Sequence, residues 1–478
     1  MRQNFPLSFR SSRSSRPGVR AAVGLAATLA LVAVPAAAGP AAAATADARS
    51  APSADPAAVR DWNAIATETV GDHLGSAHPS GQGAVWHSFV SAAVYNAVVG
   101  IQGRYAPYKW RVKGPSAASP EAAAVAAAHR VLLDCFPGAR ARLDAAYADS
   151  LAEVPDGRAK EQGVAFGERA ADHILKLREG DGRYAPVEFT AEPAPGVWRP
   201  TPPDHQPYLD TWLGRLRPMT LTSPDQFRPG PPPALSSARY ARDVNELKAM
   251  GGRTGSNRTA RQTETARFFG GNLLLQFQTG LRDYADRHRL GIADTARLFA
   301  AANTSAADAV ITSWDAKFHY AFWRPVTAIR MAGTDGNPAT EADPKWLPLA
   351  PDTPPHPDYI SGHATVASAV LRAVTGVLGT SHLDLHVRSE ATGTTRHYKH
   401  ADEFNKDMID ARVWVGVHTR TADVVGCRTG SRIGTWVLSH HFQPLDRAAA
   451  SQPTQPTQPT QPTQSSQLSL PTPPKCPS

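Results

Sequence analysis

The feature that most constrains the fold of this 478-residue chain is its long segments with helical periodicity. No comparable series of β-strand patterns accompanies them. From about Asp55 to Gly180, apolar residues recur with a helical period. Ser119-Pro120-Glu121 is typical of a helix N-terminus, with a capping serine and a proline in the first turn. Short alternating segments bounded by turns, which indicate sandwiches and barrels, do not recur. The sequence therefore predicts an all-α fold.

The composition changes twice after the first helical region, which we place at residues 45–180. Residues 181–235 combine many prolines with apolar aromatic residues such as Trp198 and Trp212, which predicts an ordered excursion packed over the helices at a pocket rim. Helical patterns resume in residues 236–446, the region that we predict to carry the chemistry. Residues 447–478 repeat Gln-Pro-Thr, which is typical of an extended, solvated low-complexity tail.

Within residues 236–446, the apolar periodicity places the first three helices. We predict them at Ser237–Met250, Ala260–Leu281 and Ile292–Trp314.

The first 44 residues have the pattern of a secretory signal peptide. An arginine-rich start leads into the apolar run Ala21–Ala38, and Ala41–Ala44 supplies small residues for cleavage. An uncleaved membrane anchor is the alternative, but the run is only weakly hydrophobic and contains Pro35. No other segment has about 18 uninterrupted apolar residues. We therefore predict a secreted, extracellular protein without stable membrane insertion after cleavage.

The charge balance argues against a general nucleic-acid binder. The formal net charge is +8, but five arginines and no acidic residue lie in the first 44 residues, so the remainder carries +3. Nucleic-acid binding requires a basic face that displaces counterions from the phosphates. Without such an excess we predict no nucleic-acid partner.

The three cysteines are Cys135, Cys427 and Cys476, and no metal-type spacing links them. An exported chain can form disulfides, but three cysteines cannot all pair within one chain. A bridge between Cys135 and Cys427 is possible, although the sequence does not give their distance.

The first segment that contains candidate site residues is residues 317–325. Lys317 and Arg324 lie seven residues apart, two turns of a helix, so they can share one helix face, and Pro325 would end or kink that helix. Two cations on one face suit a tetrahedral oxyanion. The alternative is an ordinary solvated helix face.

The second segment is residues 356–365, in which Ser361-Gly362-His363 precedes an apolar helical stretch. The unpaired N–H groups and the positive dipole end of a helix N-terminus favour an anion. Gly362 allows close approach of the backbone, the Ser361 hydroxyl can donate, and His363 can transfer a proton. The alternative is a serine N-cap with an incidental histidine.

The third segment places Arg412 six residues before His418 in an apolar run. A buried arginine needs an anionic partner. A bound oxyanion is one candidate for that partner, and a structural salt bridge to Asp410 or Asp423 is the other.

In this order, the three segments resemble the superfamily of vanadium-dependent haloperoxidases and type-2 phosphatidic acid phosphatases, particularly its secreted bacterial branch. The shared signature is a lysine seven residues before Arg-Pro, then Ser-Gly-His, then an arginine six residues before a histidine. The resemblance covers most of residues 60–440, and its specificity lies in residues 317–423. It implies a four-helix bundle with its site at the helix ends, and a second bundle or half-bundle of N-terminal helices.

The resemblance also implies a role for each residue of the signature. Lys317, Arg324 and Arg412 would neutralise the oxygens of bound vanadate, or of phosphate in the same site. Ser361 and the N–H of Gly362 would donate hydrogen bonds to that anion.

For the two histidines, the resemblance implies direct roles in the chemistry. His418 would be the covalent ligand of vanadium, or the nucleophile that takes up phosphate. His363 would be the acid–base group opposite it, protonating peroxide or a leaving group.

The chain departs from the family pattern at three positions. Ile360 replaces a frequent proline, and Ala411 replaces a frequent serine. The aspartate expected four residues after His418, which orients the nucleophilic histidine in phosphatases, is missing. Asp423 follows as the fifth residue and could orient His418, but its displacement counts against phosphatase chemistry.

His356 favours haloperoxidase chemistry over phosphatase chemistry. It lies seven residues before His363, where bromide-oxidising family members look similar and chloride-oxidising ones tend to have an aromatic residue. We therefore predict a haloperoxidase that uses vanadate, hydrogen peroxide and a halide, bromide above all, with a small organic acceptor. A secreted acid phosphatase with a phospho-His418 intermediate is the second hypothesis, and a non-enzymatic anion-binding protein is the third. The oligomeric state stays open.

Other candidate residues carry weaker signals. Trp314 could line the pocket, but core packing is the better explanation. His382 and His386 have the i, i+4 spacing of a helical metal site, but a surface helix explains them better. Asp308 could be a charge partner for Lys317.

Overall fold

The computed structural model describes residues 54–75, 81–445 and 470–477, and most of them are helical. The predicted signal peptide and most of the predicted low-complexity tail lie outside these residues. The all-α class predicted from the sequence is confirmed, apart from one small hairpin.

Within residues 54–75 and 81–180, the structure has five α-helices. Helix α3 begins at Pro120 as expected, because the side chain of Ser119 accepts a hydrogen bond from the backbone N–H of Ala122 at 3.0 Å. The five helices are α1 (Ala57–Leu74), α2 (Gly81–Gln102), α3 (Pro120–Cys135), α4 (Arg140–Ala152) and α5 (Arg158–Leu177).

From residue 236 to residue 445, the structure has eight more α-helices. The single helix predicted for Ala260–Leu281 is wrong: Asn272 caps a new helix there, and its side chain accepts from the N–H groups of Leu274 and Leu275. The helices are α6 (Ala238–Met250), α7 (Ala260–Phe268), α8 (Leu273–Arg287), α9 (Ile292–Tyr320), α10 (Pro325–Arg330), α11 (Gly362–Leu378), α12 (Ala401–Trp414) and α13 (Arg420–His440).

Between α11 and α12 the chain forms an antiparallel hairpin of β1 (His382–Arg388) and β2 (Thr395–His400). The surface helix expected around His382 and His386 is therefore wrong. In β1 the buried residues alternate with outward-facing ones, which is the period of a strand covering a core on one face. The run is short, and its alternation carries too little signal for a sequence analysis to separate it from a helix end.

The core is continuous across both groups of helices. Helix α2 packs against α3, α5 and α9, and α11 packs against α9 and α13. Among the described residues, α2 is the one helix long and apolar enough to cross a membrane by length and composition, and 94% of its apolar window is buried inside the structure. A core helix shows the same properties.

The cysteine pairing differs from the possible Cys135–Cys427 bridge. Cys427 on α13 is joined to Cys476, and Cys135 is free. The described end of the tail lies against the bundle: Arg372 of α11 donates to the carbonyl oxygen of Pro471 at 2.7 Å. These last residues are thus attached to the core, unlike the solvated tail that the repeat predicts.

A row of glycines brings α13 unusually close to α11. Gly426, Gly430 and Gly434 recur every fourth residue, on one face of α13. A Cβ atom would lie 2.8 Å from the backbone oxygen of Ser361 if placed on Gly426, and 2.1 Å from that of Thr365 if placed on Gly430. Only hydrogen fits at these contacts. The row therefore fixes the start of α11 against the start of α13.

We expect Gly430→Ala to destabilise the protein by about 1–3 kcal/mol, because its methyl group would force α11 and α13 apart. Gly71→Ala is the matched control: it adds a methyl group to α1 with no atom within 4 Å. This control should leave stability unchanged or raise it by up to about 1 kcal/mol. Thermal and denaturant unfolding followed by circular dichroism measures both, and equal stability of the two variants would contradict the packing argument.

Candidate oxyanion-binding active site

The second and third sequence segments line one pocket, and Arg324 of the first segment contacts two of its histidines, His356 and His418. Its wall includes three residues singled out for chemistry, His356, His363 and His418, together with Gly362 at the start of α11. Leu209 and Asp210, from the proline-rich excursion, also line it. The other lining residues are mainly apolar: Gly81, Leu273, Leu274, Val310, Trp314, Pro354, Pro355 and Val366.

Lys317 is fully buried near the end of α9. Its ammonium group donates to the carbonyl oxygens of Pro357 and Asp358, at 2.6 and 2.9 Å. It does not pair with Asp308, whose carboxylate instead accepts from the backbone N–H groups of Met219 and Thr220. The proposed Asp308–Lys317 pair is therefore wrong, and Lys317 supports the loop that carries His356.

Arg324 lies beyond α9, so the prediction that it shares a helix face with Lys317 is wrong. Helix α9 ends at Tyr320, Ala321 adopts a left-handed conformation, and Pro325 begins α10 with Arg324 as its N-cap. Proline at the first position of a helix is favourable, because its missing N–H would be unpaired there anyway. The turn nevertheless directs Arg324 to the same pocket.

The Arg324 guanidinium joins two pocket segments. It donates to the backbone oxygen of His356 at 2.6 Å and to that of Val417 at 2.7 Å. Its remaining N–H groups lie 2.9 Å from Nδ1 of His356 and 3.3 Å from Nε2 of His418. Arg324 therefore fixes the positions of both imidazole rings.

His418 has a carboxylate partner that the sequence analysis missed. Its Nδ1 lies 2.6 Å from Oδ1 of Asp358, and the Thr419 hydroxyl donates to Oδ2 of Asp358 at 2.7 Å. The expectation that Asp423 orients His418 is wrong, because Asp358 occupies that role. The available signal was an acidic residue inside the His356–His363 segment, but its contact with His418 spans 60 residues and depends on the fold.

Ser361, Gly362 and His363 form the first turn of α11, as expected. Ser361 is its N-cap, and its own N–H donates to the backbone oxygen of Ala422 at 3.1 Å, which ties α11 to α13. A Cβ on Gly362 would lie 3.3 Å from the ring of Trp314. The backbone N–H groups of this turn are therefore close to the pocket, and His363 lines it.

Arg412 is buried without an ion pair to Asp410 or Asp423 among the described residues. Asp410 pairs with Lys406 and Arg420 instead. The Arg412 guanidinium donates to the backbone oxygen of Phe269 at 3.3 Å, and its Nε has no hydrogen-bond partner. A buried cation with unused donors suits an anionic ligand.

Burial and mutual repulsion shift the pKa values of the basic residues and histidines at the pocket. Burial, followed by the charge of Arg324, lowers the pKa of Lys317 well below its usual value. Burial lowers the pKa of Arg324 and of Arg412 to about 10. It also lowers the pKa of the His363 imidazole, further reduced by Arg412.

The same effects lower the pKa of His418 and His356, again with burial first and Arg324 second. The pocket imidazoles are consequently neutral at pH 7, while both arginines stay charged. Burial raises the pKa of Asp358 and of Asp423. An anion bound among the cations would relieve their repulsion.

Comparison with known proteins finds sequence similarity to vanadium chloroperoxidase. Residues 297–447 match the family model described as the VCPO second helical-bundle domain. A vanadium chloroperoxidase from Curvularia inaequalis is 28% identical over 420 residues, covering 65% of this chain and 68% of that protein.

Two solved structures share the fold. A bacterial vanadium-dependent iodoperoxidase superposes with a TM-score of 0.69 at 23% identity, covering 82% of this chain and 98% of that one. A bacterial vanadium-dependent chloroperoxidase gives 0.59 at 18% identity, covering 79% and 91%. The comparisons confirm the predicted resemblance to vanadium-dependent haloperoxidases and the helical-bundle fold.

We expect inorganic phosphate to raise the thermal midpoint of the protein, because a ligand that binds only the folded state stabilises it. Arg412→Gln should abolish most of that increase, since it removes a buried cation with unused donors. Arg428→Gln, an exposed change on α13, is the control and should retain it. Thermal unfolding across a phosphate titration measures the effect. Equal losses in the two variants would argue against an oxyanion site at Arg412.

Proposed function

We propose that this chain, whose C-terminal bundle resembles that of the vanadium haloperoxidases, is a vanadate-dependent haloperoxidase that oxidises halide, bromide in particular, with hydrogen peroxide. One observation carries the proposal. A buried histidine, His418, is oriented by Asp358 and lies beside a buried arginine, Arg324, at the wall of the pocket. Vanadate needs only one protein ligand, so this arrangement suits it.

The residues present fit vanadate or phosphate. Lys317, Arg324 and Arg412 supply three buried cations, and the unpaired Nε of Arg412 is a free donor for an anion. Ser361 and Gly362 add a hydroxyl and the N-terminal N–H groups of α11. His418 is the residue that would ligate the metal. When bound, vanadate supplies a Lewis-acid centre that activates peroxide toward attack by halide.

Asp358 selects the reactive nitrogen of His418. A carboxylate that accepts from Nδ1–H fixes the tautomer in which Nε2 carries the lone pair, and it raises the basicity of that nitrogen. The hydroxyl of Thr419 holds Asp358 in turn. The pair therefore presents Nε2 as the ligand atom toward the pocket.

His363 is the group that can move a proton. Its lowered pKa keeps the imidazole neutral at pH 7, so it can accept the proton that hydrogen peroxide loses on binding. It could then return that proton to the departing oxygen. The apolar wall around Leu274, Val310 and Val366 limits water and leaves room for a small organic acceptor.

An acid phosphatase that acts through phospho-His418 is the second candidate, and one observation favours it. The sequence counts against this chemistry because the orienting aspartate after His418 is displaced. Asp358 supplies that carboxylate from another segment at 2.6 Å. The pair thus suits a nucleophilic imidazole as well as a metal ligand, and the two activities must be separated by assay.

On phosphate-free protein, we expect vanadate-dependent bromination of a phenol dye with hydrogen peroxide and bromide, and little release of p-nitrophenol from its phosphate. Asp358→Asn should lower vanadate affinity or bromination about 10- to 100-fold, because His418 loses its orienting partner. Asp352→Asn, an exposed change in the same loop, should have no effect. Hydrolysis that vanadate inhibits, without bromination, would replace the peroxidase with the phosphatase.

His356 is the residue that we propose to favour bromide. Its ring lies 4.8 Å from that of Trp314, and Arg324 holds its Nδ1 at 2.9 Å, so its position beside the anion site is fixed. We expect His356→Phe to lower the ratio of bromide to chloride oxidation about tenfold, equivalent to about 1.4 kcal/mol between the two barriers. His319→Phe, at an exposed position of α9, is the control. Steady-state rates with each halide give the ratio, and an unchanged ratio would remove His356 from halide selection.

Secretion stays a prediction. Its supports are the arginine-rich apolar N-terminus and the Cys427–Cys476 disulfide, since disulfides persist mainly in oxidising compartments. Mass spectrometry of the exported chain, with a mature start near Ala44 or Ala46, tests it.

A further inference from the structure

A group of side chains of the types that bind metals lies on the hairpin, outside the pocket. Asp384 and His386 of β1 and His397 of β2 each offer one ligand atom, and these atoms all lie within 4.8 Å of one another. The strand alternation explains the grouping: Leu383 and Leu385 face the core, so Asp384 and His386 face outward. His397 is paired opposite His386 in the hairpin register.

Helix α8 contributes Asp283 to the group, and His288, the residue directly after this helix, adds an imidazole. Nε2 of His288 lies 2.7 Å from Oδ2 of Asp384, and Nδ1 of His386 lies 3.2 Å from Oδ2 of Asp283. Nε2 of His397 lies 2.7 Å from Oδ1 of Asp384. Three imidazoles and two carboxylates from three separate elements thus converge.

We propose that Asp384, His386 and His397 bind a divalent transition-metal ion such as Zn²⁺, with His288 available as a fourth ligand. Imidazole nitrogens together with a carboxylate are the donor set that Zn²⁺ prefers, whereas Mg²⁺ and Ca²⁺ prefer oxygen ligands alone. The three residues come from both strands, and His288 lies directly after the C-terminal end of α8. A bound ion would therefore tie the hairpin to that helix.

Hydrogen bonds and ion pairs alone give this group of side chains little stabilising free energy. The side chains are 23–40% exposed, and ion pairs at that exposure contribute about 0–1 kcal/mol. A metal ion replaces several weak contacts with coordinate bonds, for which neutral imidazoles and an ionised carboxylate are required.

Arg287 sets a limit on the affinity. Its guanidinium donates to Oδ2 of Asp384 at 2.7 Å and also contacts Asp283, so a positive charge already lies next to the group. This repulsion opposes a cation, and Arg287 occupies one carboxylate oxygen that the ion could otherwise use. The site should accordingly bind Zn²⁺ with micromolar rather than nanomolar affinity.

The hairpin provides its own control pair. His382 and His400 face each other across the same two strands, with ring centroids 5.5 Å apart, but neither belongs to the group. Removing them changes the histidine content of the hairpin without touching the proposed ligands. They therefore separate a built site from general adsorption of metal to surface histidines.

The test is isothermal titration of the metal-free full chain with zinc chloride, together with thermal unfolding at each zinc concentration. We expect saturable binding with a micromolar Kd and a higher thermal midpoint. The double variant H386A/H397A should weaken this binding at least tenfold and lose the increase in midpoint. The double variant H382A/H400A should retain both, and magnesium chloride should give neither.

Two outcomes would overturn the proposal. The first is the absence of saturable Zn²⁺ binding. The second is equal binding by H386A/H397A and the parent chain. Equal binding would place the ion elsewhere, for example at the pocket histidines. Folding of the variants is checked by circular dichroism, and their exposed positions make disruption small. The haloperoxidase assay is a separate readout, because none of these four histidines lines the pocket.

Discussion

The site depends on three buried basic side chains that lie near one another. Lys317, Arg324 and Arg412 repel each other in a medium of low dielectric constant, and the two nearby buried carboxylates, Asp358 and Asp423, offset this only in part. Backbone carbonyls and rigid helix ends supply the remaining support. The proposed oxyanion would relieve this repulsion, because it would bring negative charge among the basic groups.

Helix packing keeps these cations from moving apart. The glycine row of α13 lets its backbone contact that of α11, so the first turns of both helices lie side by side. His418 lies two residues before the start of α13, and Ser361 caps α11, which places the proposed ligand and the N–H donors in the same layer. A preorganised site of this kind needs no rearrangement when the anion binds.

Local signals predicted most of the helices but not their interruptions. Ser119 and Ser361 are helix caps in both the sequence and the structure, because capping depends on neighbouring residues alone. The break at Ala321 and the new start at Asn272 lie inside runs whose periodicity favours one long helix. There, packing against other elements outweighed a propensity difference of less than about 1 kcal/mol per residue.

The sequence by itself determined the helical class and predicted the buried basic residues and histidines that the fold brings together, since the order and spacing of those residue types are specific. Only the tertiary structure decided which carboxylate orients His418, which cysteine joins Cys427, and that His386 faces His397 across a hairpin. The physical reason is distance along the chain. Asp358 and His418 are 60 residues apart, so their contact follows from the packing of α11 and α13 and leaves no local pattern.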